Sequence, residues 1–355
     1  MMVMVDPRTS EMSNLKTFLN LRARKRSIVA AFVVAALFLY LIANGSVPTT
    51  SATPDIVANN LDISSKRYAY ATLLTSDDES YFTAARVLSY QLLSDPETRT
   101  NQSIPFVVMV TKLVPKHQRQ QLARDGASVV YVEDVPLPWW IRQRLRRPSR
   151  FGDQFTKLRI FQMLEYDLVL YLDADNLLMK PLDGAFEDDA CRPSDTQVSN
   201  PSILERDRSL TPPAQYIFAA RPDNGRSNDG SNGGNYEHPI PPMERDQLSA
   251  GFWVAAPSNE IYDYYMSLMT SSTFGVFRPF DPQFMEQAMF DYAHRRDGRM
   301  PWKSLNYKWS STFPGVQDIT AGIASLHDKF WIHGPDELTA RWKRKKEEME
   351  LLHGK

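Results

Sequence analysis

Asp173 and Asp175 are the residues of this chain whose type and spacing most plainly suit chemistry. They flank the small Ala174 and follow the apolar run Leu168-Val169-Leu170-Tyr171-Leu172. A run this short and this apolar predicts a buried strand of a parallel sheet. At the end of such a strand both carboxylates can turn toward one point outside the sheet, where open α/β sheets keep their ligand crevice. Two hard oxygen donors there suit Mg2+ or Mn2+ already carrying phosphate oxygens, because these ions are satisfied by a few carboxylates plus a diphosphate. An Asp-x-Asp taken alone is more often an acidic turn that holds nothing. The elements around it have to decide.

Those elements alternate. Tyr68 to Leu74 is β-prone, and Tyr81 to Leu93 carries helical spacing through Phe82, Ala85, Leu88, Leu92 and Leu93. Phe106 to Val110 predicts a second strand, Pro115 to Asp125 a polar helix opened by proline and stopped by Gly126, and Ser128 to Val132 a third strand. A helix over Gln154 to Glu165 leads into the central strand. This βαβ succession implies a parallel sheet with helices on both faces. Residues 192–246 read as a loop insertion, with Gly, Asn and Ser dominating 224–235. Order resumes with a strand over residues 249–256, a helix from Asn259 to Met269, and an amphipathic helix from Pro282 to His294 that contains Glu286 and Gln287. The aromatic loop Leu305-Asn306-Tyr307-Lys308-Trp309 follows. Trp342 to Leu352 predicts a charged, solvated terminal helix.

Composition narrows the function classes. With 355 residues, 43% of them hydrophobic, the chain can bury one large catalytic domain with appendages. A net charge of -1 argues against a nucleic-acid partner. The single cysteine, Cys191, excludes an intramolecular disulfide and a cysteine metal site. Near the N-terminus, Arg22, Arg24, Lys25 and Arg26 precede the uncharged apolar run Ile28 to Ala43. Its length is near the lower limit for a membrane span, and basic residues on that side stay cytoplasmic. A type II signal anchor is expected, with a signal peptide cleaved near Ala43 and Gly45 as the rival. The Ser, Thr, Pro and Asn-rich residues up to Lys66 suit a flexible stem. Asn101-Gln102-Ser103 is a glycosylation triplet. Arg142, Arg144, Arg146, Arg147 and Arg150 make either a solvated basic surface or a rim attracting an anionic substrate.

Several segments, in order, resemble the retaining family 8 glycosyltransferases, the glycogenin-like enzymes, and particularly their fungal membrane-anchored members. Residues 71–78, Ala-Thr-Leu-Leu-Thr-Ser-Asp-Asp, resemble the opening nucleotide-binding strand, which implies donor contacts from Leu73, Thr75 and Ser76 and stacking of Tyr81 on uracil. Phe155-Thr156-Lys157-Leu158-Arg159 is similar to the segment whose lysine meets phosphate, and Asp173-Ala174-Asp175 to the metal motif. Ser249-Ala250-Gly251 stands where Asn-Ser-Gly is common, implying donor contacts from Ser249 and Gly251, with a serine in place of the usual asparagine. Glu286-Gln287 matches a pair that faces the sugar. The segment from Leu326 to Trp331 resembles the one giving a metal-binding histidine, His327, and a diphosphate-binding lysine, Lys329. It is compressed relative to the glycogenin pattern, and His333-Gly334 is a competing alignment.

The resemblance implies a Rossmann-like GT-A fold of the α/β class and a metal set of Asp173, Asp175 and His327 holding Mn2+ or Mg2+. It implies catalytic roles for Gln287, Glu286 and Lys157, and transfer with retention from a UDP-sugar to a glycan, protein or lipid acceptor. The expected organisation is a cytoplasmic tail at 1–27, an anchor at 28–44, a stem at 45–66, a catalytic domain at 67–335 and a terminal helix at 336–355, in the Golgi or ER membrane with a lumenal catalytic domain. Two other expectations stand beside it. One is a membrane-tethered glycan-binding or assembly subunit of the same fold. The other is a haloacid-dehalogenase-like phosphatase, which Asn176 fits poorly because Thr or Val is usual there.

Overall fold

The computed structural model describes residues 66–145, 152–198, 205–224, 238–241, 245–270 and 278–354. The expected tail and anchor, the stem up to residue 65, Arg146, Arg147, Arg150, and residues 225–237 of the insertion lie outside the described residues. No described helix is long and apolar enough to cross a membrane.

Strands β1 (Tyr68–Leu74), β2 (Phe106–Val110), β3 (Ser128–Tyr131) and β4 (Leu168–Leu172) run parallel, as their intervening helices α1 (Glu79–Leu93), α2 (Lys116–Arg124) and α3 (Trp139–Arg144) require. After β5 (Asn176–Leu178) and the short pair β6 (Ser194–Asp195) and β7 (Gln215–Tyr216), strands β8 (Phe218–Pro222) and β9 (Leu248–Ala255) complete the sheet with β10 (Lys303–Ser304). Its order is β10-β8-β9-β4-β1-β2-β3, and β9 alone runs antiparallel to its neighbours. The α/β, mostly parallel, Rossmann-like expectation is met.

Period-2 alternation splits this sheet between two cores. Ala69, Ala71, Val169 and Tyr171 face one, with α4 (Asn259–Thr270) and α5 (Met285–Ala293). Tyr70, Leu168, Leu170 and Leu172 face the other, with α1. Both faces are therefore covered, which is why β4 reads as an unbroken apolar run. A second, three-stranded sheet is formed by β11 (Ser310–Thr312), β12 (Ser325–His327) and β5, with α6 (Val316–Ala321) between β11 and β12.

Three expectations are corrected. Residues 192–246 are not simply a loop, since they contribute β8, buried at every position, to the central sheet. Arg221 hid that strand, but its guanidinium is buried and donates to the Leu305 carbonyl at 2.6 Å. The helix leading into β4 is a 3-10 helix over Asp153–Gln162, which stops short of the expected end at Glu165. The terminal helix α7 (Asp336–His353) is docked, not solvated. Leu338, Trp342, Lys345 and Met349 form one buried stripe on it, and the Lys345 ammonium is met by Asp95 at 2.8 Å, Glu97 at 3.1 Å and Glu348 at 3.0 Å.

Candidate active site

Strand β4 ends in a turn held from three sides. The Asp173 N–H donates to the Gly251 carbonyl at 3.0 Å, tying the turn to β9. The Asn176 amide donates to the Asp173 carbonyl at 2.8 Å and to the Gly251 carbonyl at 3.2 Å, while its oxygen accepts from Ser325 Oγ at 2.8 Å. From there β5 pairs antiparallel with β12, in a register that sets His327 opposite Asn176. The Asp328 N–H closes the ladder on the Asp175 carbonyl at 3.1 Å. Residues 152 positions apart are thereby fixed side by side.

The result is a cluster in which Asp173, Asp175 and His327 each offer one ligand atom within 4.8 Å of the others. His327 Nε2 lies 3.1 Å from Asp175 Oδ1 and 3.8 Å from Asp173 Oδ2. Lys329 Nζ lies 3.8 Å from Asp175 Oδ2. His333, the competing alignment, sits apart and pairs instead with Asp328 at 3.2 Å. The space beside the cluster depends on Gly251: a Cβ there would overlap the His327 ring and lie 2.9 Å from Asp173 Oδ2. Two carboxylates, one imidazole and a cradle that even a methyl group would fill fit a divalent cation with oxygen and nitrogen ligands.

Behind the cluster runs a buried charge relay. Lys157 Nζ bridges Asp173 Oδ1 at 2.8 Å and Glu286 Oε1 at 2.6 Å, 5.0 Å from the centre of the Tyr171 ring. Tyr171 donates its hydroxyl to the same Asp173 oxygen at 2.7 Å. Asp173 Oδ1 is thus fully occupied, which leaves Oδ2 turned toward His327. The Lys157 side chain is 3% exposed, so a phosphate contact would require this bridge to open.

Electrostatics follow from that packing. Burial opposes the charge on Asp175, but His327 and Lys329 outweigh it and hold the carboxyl down at about 2. Burial likewise opposes a proton on His327, and the two aspartates overcome it, so the imidazole is raised above its ordinary range. Lys157 is pushed down by burial and raised on balance by Asp173 and Glu286. Burial drives the Glu286 carboxyl up against the pull of Lys157. The site is a dense set of compensating charges of the kind found where ligands are held.

Leu73 and Thr75 stand at the C-terminal end of β1, beside that of β4, and the Thr75 carbonyl accepts from Thr111 Oγ1 at 3.0 Å. Ser76 follows them, half-buried. Asp78 caps α1 by accepting from the Ser80 N–H at 2.9 Å, which fixes Tyr81 in the first turn. Tyr81 meets Trp331 edge-on at 5.4 Å and neighbours Lys329. Ser249 is buried and accepts from the Gly251 N–H at 3.4 Å. Gln287 accepts from the Ala250 N–H at 3.2 Å and faces Asp223 Oδ2 at 3.5 Å. Glu286 faces Lys157 rather than the crevice.

Sequence reasoning passed over Tyr171, Asn176 as the lock of the turn, and Asp223. Asp223 accepts from Thr312 Oγ1 at 3.1 Å, and Thr312 pairs with His327 in register. The tyrosine two residues before Asp173 was the one legible signal among these, since alternation puts both side chains on one face.

No family model matches the chain. An uncharacterized protein of Schizosaccharomyces pombe is 27% identical over 310 residues, 81% of this chain and 80% of its own length. A putative glucuronosyltransferase of Arabidopsis thaliana is 33% identical over 154 residues, 42% of this chain and 29% of its own length. Inositol phosphorylceramide glucuronosyltransferase 1 of the same plant is 30% identical over 154 residues, 43% of this chain and 26% of its own length. The chain thus spans under a third of these plant proteins. Among solved structures, the galactosyltransferase LgtC covers 79% of this chain and 95% of its own at 14% identity and a TM-score of 0.47. Mouse xyloside xylosyltransferase 1 covers 76% and 99% at 13% identity and a TM-score of 0.46. The sequence relatives named here with an activity are glycosyltransferases, and this chain is similar to them over the matched stretch.

Proposed function

We propose that this chain is a metal-dependent, retaining glycosyltransferase of the GT-A fold, moving a sugar from a UDP-sugar to a glycan, protein or lipid acceptor. The observation that carries the proposal is the convergence of Asp173, Asp175 and His327 at the end of β4, with Lys329 beside them. A bound Mn2+ or Mg2+ would act there as a Lewis acid on the diphosphate oxygens, whose negative charge grows as the sugar leaves. Lys329 adds fixed positive charge at the same place, a contribution of about 2 to 4 kcal/mol to the barrier for a group of this kind. Lys157 and Tyr171 hold the rotamer of Asp173, and Glu286 holds Lys157. Gln287 and Asp223 present an amide and a carboxylate beside the cluster, suited to positioning sugar hydroxyls. The apolar run Ile28 to Ala43, with basic residues before it, supports a type II anchor in the Golgi or ER membrane and a lumenal catalytic domain.

The names of the plant relatives put glucuronate first among donor sugars, beside glucose, galactose and N-acetylglucosamine. The test is release of UDP by the full chain from these four UDP-sugars with Mn2+, compared with Asp175→Ala. The expected result is turnover of one donor, reduced at least 100-fold in the variant. Glycan binding with no donor turnover would instead establish a non-catalytic binding subunit, and turnover of simple phosphoesters a phosphatase.

A further inference from the structure

A groove of about 820 Å³ is walled by Trp309, Asn306, Lys308, Lys180, Glu187 and Asp188, and none of Asp173, Asp175 and His327 lines it. We infer that it is a carbohydrate subsite that holds a neutral glycan chain, an inference whose biological use rests on the sugar-transfer reading above.

The walls are set before any ligand arrives. Asp188 Oδ2 accepts from Trp309 Nε1 at 2.9 Å and from the Asn306 N–H at 3.0 Å, while its other oxygen accepts from the Ala190 N–H at 2.9 Å. The Asn306 side chain accepts from the Lys308 N–H at 3.1 Å. The indole lies against Gly184 so closely that a Cβ there would come within 2.9 Å of it. Across the groove Lys180 Nζ donates to the Gly322 carbonyl at 3.1 Å. A groove already braced in this way loses little freedom when it is filled.

Its chemistry selects the class of ligand. An apolar ligand would strip water from the carboxylates and ammonium groups and return no hydrogen bonds. An anion would meet Glu187, Asp188 and Asp189, and a cation would meet Lys180 and Lys308. A neutral polyhydroxylated chain satisfies both signs, because hydroxyls donate to carboxylates and accept from ammonium groups in charge-assisted bonds. Trp309 supplies the apolar surface on which the C–H face of a sugar ring can rest.

Position connects the groove to the reaction. Ala324, the residue before β12, lines the groove, and His327, the last residue of β12, belongs to the cluster. At roughly 3.3 Å per residue the two are at most about 10 Å apart, and Asp175 and Lys180, which flank β5, at most about 16 Å. A donor sugar at the cluster leaves the groove open, whereas an acceptor of several units is long enough to use it.

The test uses the full chain with saturating UDP and Mn2+, so that the cluster is occupied. Maltohexaose, xylohexaose, mannohexaose and cellohexaose are probed by saturation-transfer NMR and by calorimetry. One or more should bind with UDP present, with affinity falling at least tenfold in Trp309→Ala and about threefold or more in Lys180→Ala/Lys308→Ala, whose side chains are exposed. Release of UDP without acceptor should be unchanged in the lysine variant. If Trp309→Ala does not fold, the lysine variant carries the comparison. Failure of every hexaose to bind overturns the inference, as does binding untouched by the variants or abolished by Asp175→Ala. Hexaose binding by a protein that turns over no donor would sustain the groove while refuting the transferase reading.

Discussion

Gly251 and His327 belong to different sheets, yet they meet so closely that the glycine has no room for a side chain. The main sheet delivers Asp173 and Gly251, the small sheet delivers His327, and the cluster exists only where the two touch. Replacement of Gly251 by Ala is expected to push the imidazole and Asp173 apart. A misplacement of about 1 Å in such a site costs about 100-fold in catalysis. Mn2+-dependent UDP release should fall accordingly with an unchanged circular dichroism spectrum, and wild-type turnover would show that this approach is dispensable.

Lys157 is wedged between Asp173 and Glu286, and its removal leaves Glu286 as an uncompensated buried charge. Lys157→Met should therefore lower stability by about 3 to 5 kcal/mol in urea unfolding. The double variant Lys157→Met/Glu286→Leu should recover most of that loss, because both charges are gone and the volume is kept. A single variant costing under about 1 kcal/mol would mean the bridge contributes nothing to the fold.

Much of this was legible in the sequence because burial leaves a pattern. β4 lies under helices on both faces, so every residue is apolar and the two aspartates mark the point where the strand emerges. What was not legible depends on distant compensation. Arg221 disguised β8 because the carbonyl that receives it belongs to Leu305. Lys345 made α7 look solvated because its acids, Asp95 and Glu97, lie at the far end of the domain's sequence. His327 entered only through a family resemblance, since the β5–β12 pairing that brings it to Asp175 has no local signature.

Asp291 offers a pH test. Burial raises its carboxyl to about 7, Asp223 adds repulsion, and the hydrogen bond from the Leu248 N–H opposes both only in part. The ordinary value, 3.8, applies in the unfolded chain. Between these values the folded state holds the proton more tightly, so the contribution of Asp291 to stability should be full below about pH 4 and be lost as pH rises to about 7. Asp291→Asn keeps an acceptor for Leu248 and should flatten that decline in thermal melts taken from pH 4 to 8. An unchanged slope would place the titration elsewhere.

Helix α7 should be indispensable to the domain. Trp342 is 5% exposed, in the same core as Leu338, Met349 and the α1 face. Trp342→Ala is expected to cost about 3 to 5 kcal/mol. Lys345→Ala should also destabilise, by leaving Asp95 buried without its cation. A charged tail free in solvent would instead tolerate both changes with no shift in Tm.

Chelation separates a catalytic cation from a structural one, since under the proposed function the cation serves the chemistry and not the core. UDP release by the full chain is to be followed before EDTA, after it, and after Mn2+ is restored, with circular dichroism in parallel. A metal-dependent reaction requires that release disappear with EDTA and return with Mn2+ while the spectrum stays constant. Release that survives thorough chelation would contradict it.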